Sequence, residues 1–208
     1  MKNVLVFIII CIYSAVIMHL WNNYILTNDI YYNSLGEQLA ISKIDSIIDQ
    51  SKKYEWVGYA FLPIVFLIKF LLMSCVLLTG FYFYEKRVKF SEIFKVVMLS
   101  ETPFLMLSLL KFYWFFTIQT KYELKDLQYF APASLLQLFD IKQLENWQIY
   151  PLQILSVFEL SYWILLVYWI CELKLASIQM GIKVVLSSYL PALILWGAFI
   201  TFLTLNFT

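Results

Sequence analysis

Lys69, Glu101, Lys111 and Glu159 are ionisable residues set inside strongly apolar runs. A charge at membrane depth costs about 2.5–3.5 kcal/mol on insertion scales, so such residues pair, face the protein interior or line a wet path. Two chemistries fit the four: a proton or substrate path, or buried ion pairs that fix helix register. The second is the expectation for the cluster as a whole. Glu101 and Lys111 share the stretch "SETPFLMLSLLKFYWFF". On a helix their ten-residue separation is about 15 Å along the axis and roughly 80° around it, so they cannot pair with each other.

Depth suggests other partners. Lys111 lies seven residues before Ile118 and Glu159 seven after Leu152, which puts both about 10 Å inside the outer boundary. Antiparallel neighbours would then join Lys111 to Glu159. Lys69 reaches a similar level if its span starts near Pro63, a residue favoured in a first helical turn. Glu101 lies deeper, with Lys69 its one candidate partner, by a long reach. It is also the best single functional candidate, because Pro103 removes a backbone donor and loosens the helix beside it. A plain kink is the competing reading.

Other chemistry is sparse. His19 is the only histidine, too few for a cluster of metal ligands; it fits a hydrogen-bonded interfacial side chain, with a proton relay as the alternative. Cys11, Cys75 and Cys171 sit in apolar runs without a C-x-x-C pattern and read as small apolar fillers. Metalloprotease, nucleophile-elbow and P-loop signatures are absent. No catalytic residue, cofactor or metal site is expected, and no enzymatic activity. The stretches "FYFYEK" and "KFYWFF" read as interfacial belts, with a lipid or quinone pocket as the alternative.

The elements that must position these residues are membrane spans. The 208-residue chain is 62% hydrophobic and 14% charged, against about 45–50% and 25% for a soluble domain. Its net charge of +1 leaves no basic footprint for nucleic acid. Five apolar runs approach the roughly 20 residues that a crossing needs: about 3–22, 57–84, 93–118, 152–173 and 184–205. The first is longer than a signal-peptide core and lacks a small-residue cleavage site, so it reads as an uncleaved helix. The expectation is an all-α transmembrane bundle of five spans in a single membrane domain.

Basic residues concentrate at Lys2, at Lys86, Arg87, Lys89 and Lys95, and at Lys174 and Lys183. The positive-inside rule then makes the N-terminus cytoplasmic and the C-terminus periplasmic, with loops 23–56 and 119–151 outside. In the first loop, residues 37–53 repeat Ile41, Ile44 and Ile48 at helical spacing, which predicts a short amphipathic helix. The second loop mixes apolar and polar residues around Pro132, Trp147, Tyr150 and Pro151, and should form short interfacial helices.

From about residue 56 to 208 the layout resembles the Yip-domain family of small five-span membrane proteins. The residues that carry it are "EKRVKFSEIFKVVMLSETPFLML", a basic turn entering a span broken by Pro103, and "LSVFELSYWILLVYWICELKLASIQMGIKVVLSSYLPALILWG", where a short turn leads to a last span with Pro191. The chain is also similar to small inner-membrane proteins of Bacteroidota. The resemblance implies a non-enzymatic factor working through other membrane proteins. The expected function is therefore an accessory or scaffold subunit of an inner-membrane assembly. The alternative is a permease or channel subunit with Lys69, Glu101, Lys111 and Glu159 along its path.

Overall fold

The computed structural model describes residues 2–207. It is all-α, with ten α-helices among the described residues and one isolated antiparallel bridge, Ser134–Ser156. The helices are α1 (Lys2–Tyr24), α2 (Asn28–Leu35), α3 (Ile41–Phe83), α4 (Phe90–Ser100), α5 (Thr102–Tyr113), α6 (Leu124–Tyr129), α7 (Asn146–Ile154), α8 (Val157–Glu172), α9 (Ile178–Val184) and α10 (Leu190–Phe207). Wider π-turns follow α5 at Trp114–Ile118 and α9 at Val185–Tyr189.

Four helical stretches are long and apolar enough to cross a membrane: Asn3–Tyr24, Ile41–Phe83, Phe90–Ile118 and Ile178–Asn206. Val4, Leu5, Ile12, Ile164, Leu195 and Phe202 are each more than half exposed, an apolar surface of the kind that lipid covers. The chain is a multi-span helical membrane protein. Thr208, whose side the number of crossings decides, lies outside the described residues.

The fourth expected run, 152–173, is not one helix. Leu155 and Ser156 separate α7 from α8, whose 16 residues extend about 24 Å, short of a 30 Å hydrocarbon core. The break has a distant cause. Leu135 N–H donates to the Leu155 carbonyl and Val157 N–H to the Ala133 carbonyl, each at 2.9 Å, so this backbone pairs with another strand of chain instead of its own helix. Ser156 then caps α8, its hydroxyl accepting from Glu159 N–H at 3.2 Å.

The second span departs from expectation in the other direction. The predicted amphipathic helix and the span after it are one 43-residue helix, α3. Nothing in "SKKYEW" breaks a helix, so the hydrogen-bond ladder runs on from the polar third into the apolar part. Pro63 therefore lies inside the helix, not in its first turn. Ile44 and Ile48 are buried as expected, but Ile41, at the first turn, is 70% exposed.

Two compact units divide the chain: Met1–Leu67 with Leu105–Phe130, and Ile68–Phe104 with Ala131–Thr208. In the first, Phe115 is buried and meets Trp21, Tyr122 and Phe130 edge-on. Tyr13 donates to the Leu105 carbonyl at 2.9 Å and Tyr122 to that of Ile25 at 3.1 Å. Helix α2 packs on α6, where Ser34 Oγ accepts from Leu124 N–H at 2.9 Å.

In the second unit α8 packs against α4 and α9, and α7 against α10. Phe70, Leu77, Ile93, Val97, Leu166 and Ile170 are buried in its core. Gly80 permits a close approach: a Cβ there would stand 2.6 Å from Ser188 Oγ and 2.8 Å from Ser188 Cβ. Only a residue without a side chain fits at that crossing.

Candidate functional site

The polar residues of the second unit meet where three of its elements are locally irregular. Glu101 stands between α4 and α5, with φ −66° and ψ −14°, and its N–H turns back to the Met98 carbonyl at 3.3 Å. Pro103 explains the break: it has no N–H, and its ring would collide with the carbonyl of Leu99. The Thr102 hydroxyl donates to that same carbonyl at 3.1 Å. The irregularity holds Glu101 2% exposed.

Lys69, in the apolar part of α3, reaches this carboxylate. Its Nζ lies 2.5 Å from Glu101 Oε1 and 4.5 Å from the centroid of the Phe104 ring, so the cation is held by a carboxylate and an aromatic face. The lysine side chain keeps 34% of its surface exposed, which fits an amphipathic residue with a partly covered stem. The long reach considered from the sequence is the arrangement formed.

Glu159 occupies the first turn of α8, where a carboxylate complements the helix dipole. It is 6% exposed. Its Oε1 accepts from Tyr189 Oη at 2.7 Å and from Trp163 Nε1 at 2.8 Å. Tyr189 ends the π-turn Val185–Tyr189, in which Leu190 N–H bonds to the Val185 carbonyl five residues back. Pro191 follows and cannot donate, so the turn widens there, as it commonly does at functional positions. Lys111 stands in the first unit, half-buried in the last turn of α5. The pairing of Lys111 with Glu159 expected from depth thus gives way, at Glu159, to two neutral donors of its own unit.

Between the two acids lies Tyr162, 1% exposed. Its ring is 5.2 Å from that of Phe104 and 5.5 Å from that of Tyr189, and its hydroxyl is within electrostatic reach of both Glu101 and Glu159. Tyr162 Oη and Glu101 Oε2 are buried without a hydrogen-bond partner among the described residues. A cavity of about 470 Å³ beside Leu138, Leu155, Leu160 and Trp163 also reaches Glu159. The arrangement can hold a cation, accept a proton or seat a small donor.

Tyr162, Trp163 and Tyr189 were not singled out from the sequence. Their signal was spacing: Tyr162 and Trp163 follow Glu159 by three and four residues, on the same helix face. His19 lies apart, in the first unit, with Asn23 Nδ2 at 3.3 Å and Tyr59 Oη at 3.5 Å from Nδ1. Among the described residues no group of three or more His, Cys, Asp or Glu could hold a metal ion. The chain matches no protein-family model, no curated protein and no solved structure.

Proposed function

We propose that this chain is a non-catalytic protein of the bacterial inner membrane, an accessory or scaffold subunit of a larger assembly. The observation that carries this reading is the use to which the buried charges are put. Glu101 takes Lys69, and Glu159 takes Tyr189 and Trp163. The first contact ties α3 to the α4–α5 break and the Tyr189 bond ties α8 to the π-turn, and buried polar contacts of this kind specify packing. In this reading α8 is a fifth, short crossing, the N-terminus is cytoplasmic and the C-terminus periplasmic. The layout shared with Yip-domain proteins, which work through other membrane proteins, belongs to the same proposal. The test is purification of the full chain in mild detergent. Proteins recovered in fixed ratio with it support the reading; a chain recovered alone that transports solute in liposomes sinks it.

The second reading, a permease or channel subunit, is favoured by one observation: Glu101 Oε2 and Tyr162 Oη lack partners although buried. A buried acceptor and a buried hydroxyl in that state suit a passing proton or a bound cation. Lys69, Glu101 and Glu159 would then mark the path. Proton-dependent uptake abolished by Glu101→Gln would establish it over the scaffold.

A further inference from the structure

A second polar site lies in the first unit, apart from the buried charges. The end of α1, the start of α2 and the polar third of α3 enclose a cavity of about 350 Å³, within the range of small-ligand sites. Its polar lining comes from Asn22, Asn23, Asn28, Tyr31, Lys52 and Glu55, with Ser51 beside them. Leu26 and Ile48 add an apolar part. Three amides, one ammonium, one carboxylate, one phenol and one aliphatic hydroxyl make a lining with both signs of charge and many donors.

Its level in the membrane follows from the same elements. The first candidate span ends at Tyr24, so Asn22 and Asn23 stand at its end, beside the interfacial aromatics Trp21 and Tyr24. On α3, Lys52 and Glu55 belong to the last polar turn before the apolar stretch that begins at Trp56. Both elements place the cavity where lipid headgroups lie.

Glu55 is already oriented for a ligand. Its Oε1 accepts from Asn22 Nδ2 at 3.0 Å and from Tyr59 Oη at 3.1 Å, while Oε2 has no partner among the described residues. The Lys52 ammonium has none there either. The two residues are three apart on one helix, so their side chains start about 5–6 Å from each other on one face.

We propose that this cavity binds a phosphate ester joined through two carbons to a primary ammonium, the headgroup of a phosphatidylethanolamine lipid. The phosphate sits on Lys52 with the asparagine amides. The ammonium donates to Glu55 Oε2, and the glycerol end meets Leu26 and Ile48. An anionic lipid without an ammonium leaves Glu55 Oε2 without a donor. A choline lipid brings a cation without N–H donors, so it cannot make the charge-assisted bond.

The full chain is reconstituted in nanodiscs of phosphatidylethanolamine, phosphatidylcholine or phosphatidylglycerol, extracted gently, and its retained lipid counted by native mass spectrometry. Ethanolamine lipid should be retained about tenfold or more over the other two, and Lys52→Gln and Glu55→Gln should each cut that retention about tenfold. Lys52 is exposed on a helix, so its variant should keep wild-type helicity by circular dichroism even if Glu55→Gln loosens α1 from α3. Equal retention of the three lipids, or retention unchanged in Lys52→Gln, overturns the proposal. So does soluble glycerophosphoethanolamine binding to delipidated protein as tightly as the lipid, because the ligand would then be the free zwitterion.

Discussion

Lys69 and Glu101, 32 residues apart in sequence, form the one ion pair among the described residues, with Nζ 2.5 Å from Oε1. The pair is asymmetric: the lysine side chain is 34% exposed and the glutamate 2%. Losing the lysine leaves a nearly enclosed carboxylate without its cation; losing the glutamate leaves a lysine that can still reach polar surroundings.

Lys69→Met should therefore destabilise more than Glu101→Leu, by about 3 kcal/mol or more for the first. The double variant should recover most of that loss, since a lone buried charge is the expensive state. Thermal unfolding in detergent of both single variants and the double checks this. Losses that simply add would mean that the two residues are not coupled.

Tyr162 and Tyr189 should behave oppositely when each is changed to Phe. Tyr189 donates to a carboxylate at 2.7 Å, and losing such a bond costs about 1.5–3 kcal/mol. Tyr162 Oη has no partner among the described residues, so Tyr162→Phe should be neutral or stabilising by up to about 1 kcal/mol. A clear loss of stability or of transport in Tyr162→Phe would instead assign its hydroxyl a bound ligand or proton.

The number of crossings is decided by α8. With the N-terminus cytoplasmic, as proposed, five crossings would put a reporter fused after the last residue on the periplasmic side and four would return it to the cytoplasm, while a reporter near Lys89 would read cytoplasmic in both cases. We expect the periplasmic signal at the end and the cytoplasmic one at Lys89. A cytoplasmic signal at both sites would show that α8 does not cross.

Between α2 and the start of α3, Tyr32 donates a hydrogen bond to Asp45 Oδ1. That bond, then burial and the neighbouring acids Asp45, Asp49 and Asp29, raises the phenol above its ordinary range. A raised folded value means that the protonated form favours the fold. The contribution is complete below the unfolded phenol value of about 10 and is lost as pH rises through the folded one. The melting difference between wild type and Tyr32→Phe should thus shrink on passing from pH 8 to strongly alkaline conditions. A constant difference would remove the bond from the stability balance.

Much of this fold could be read from the chain because lipid imposes a coarse pattern. The apolar runs, the basic turn at Lys86–Lys89 and the buried face of Ile44 and Ile48 all follow from local sequence. What could not be read depends on distant residues or on direction around a helix. The break at Leu155 needs the backbone of Ala133 and Leu135, some twenty residues away. Depth alone ranked Lys111 as a match for Glu159, because depth does not see the neutral donors Tyr189 and Trp163 that Glu159 takes. Tyr162 and Tyr189 carry no formal charge, and among 15 tyrosines and 18 phenylalanines two buried phenols do not stand out.

The π-turn at Val185–Tyr189 has a genetic corollary. Such a turn is an α-helix that accommodates one extra residue, a single codon's worth of chain. Removing one of the residues 185–188 would let the ladder close at normal spacing, and because the wide turn had absorbed that residue, everything beyond would keep its direction relative to α9. Tyr189, at the end of the turn, would stay on the side that faces Glu159, while composition and hydropathy stayed almost unchanged. A one-codon deletion there should thus be better tolerated than one within α10, where no wide turn absorbs the change and everything beyond would rotate by about 100°.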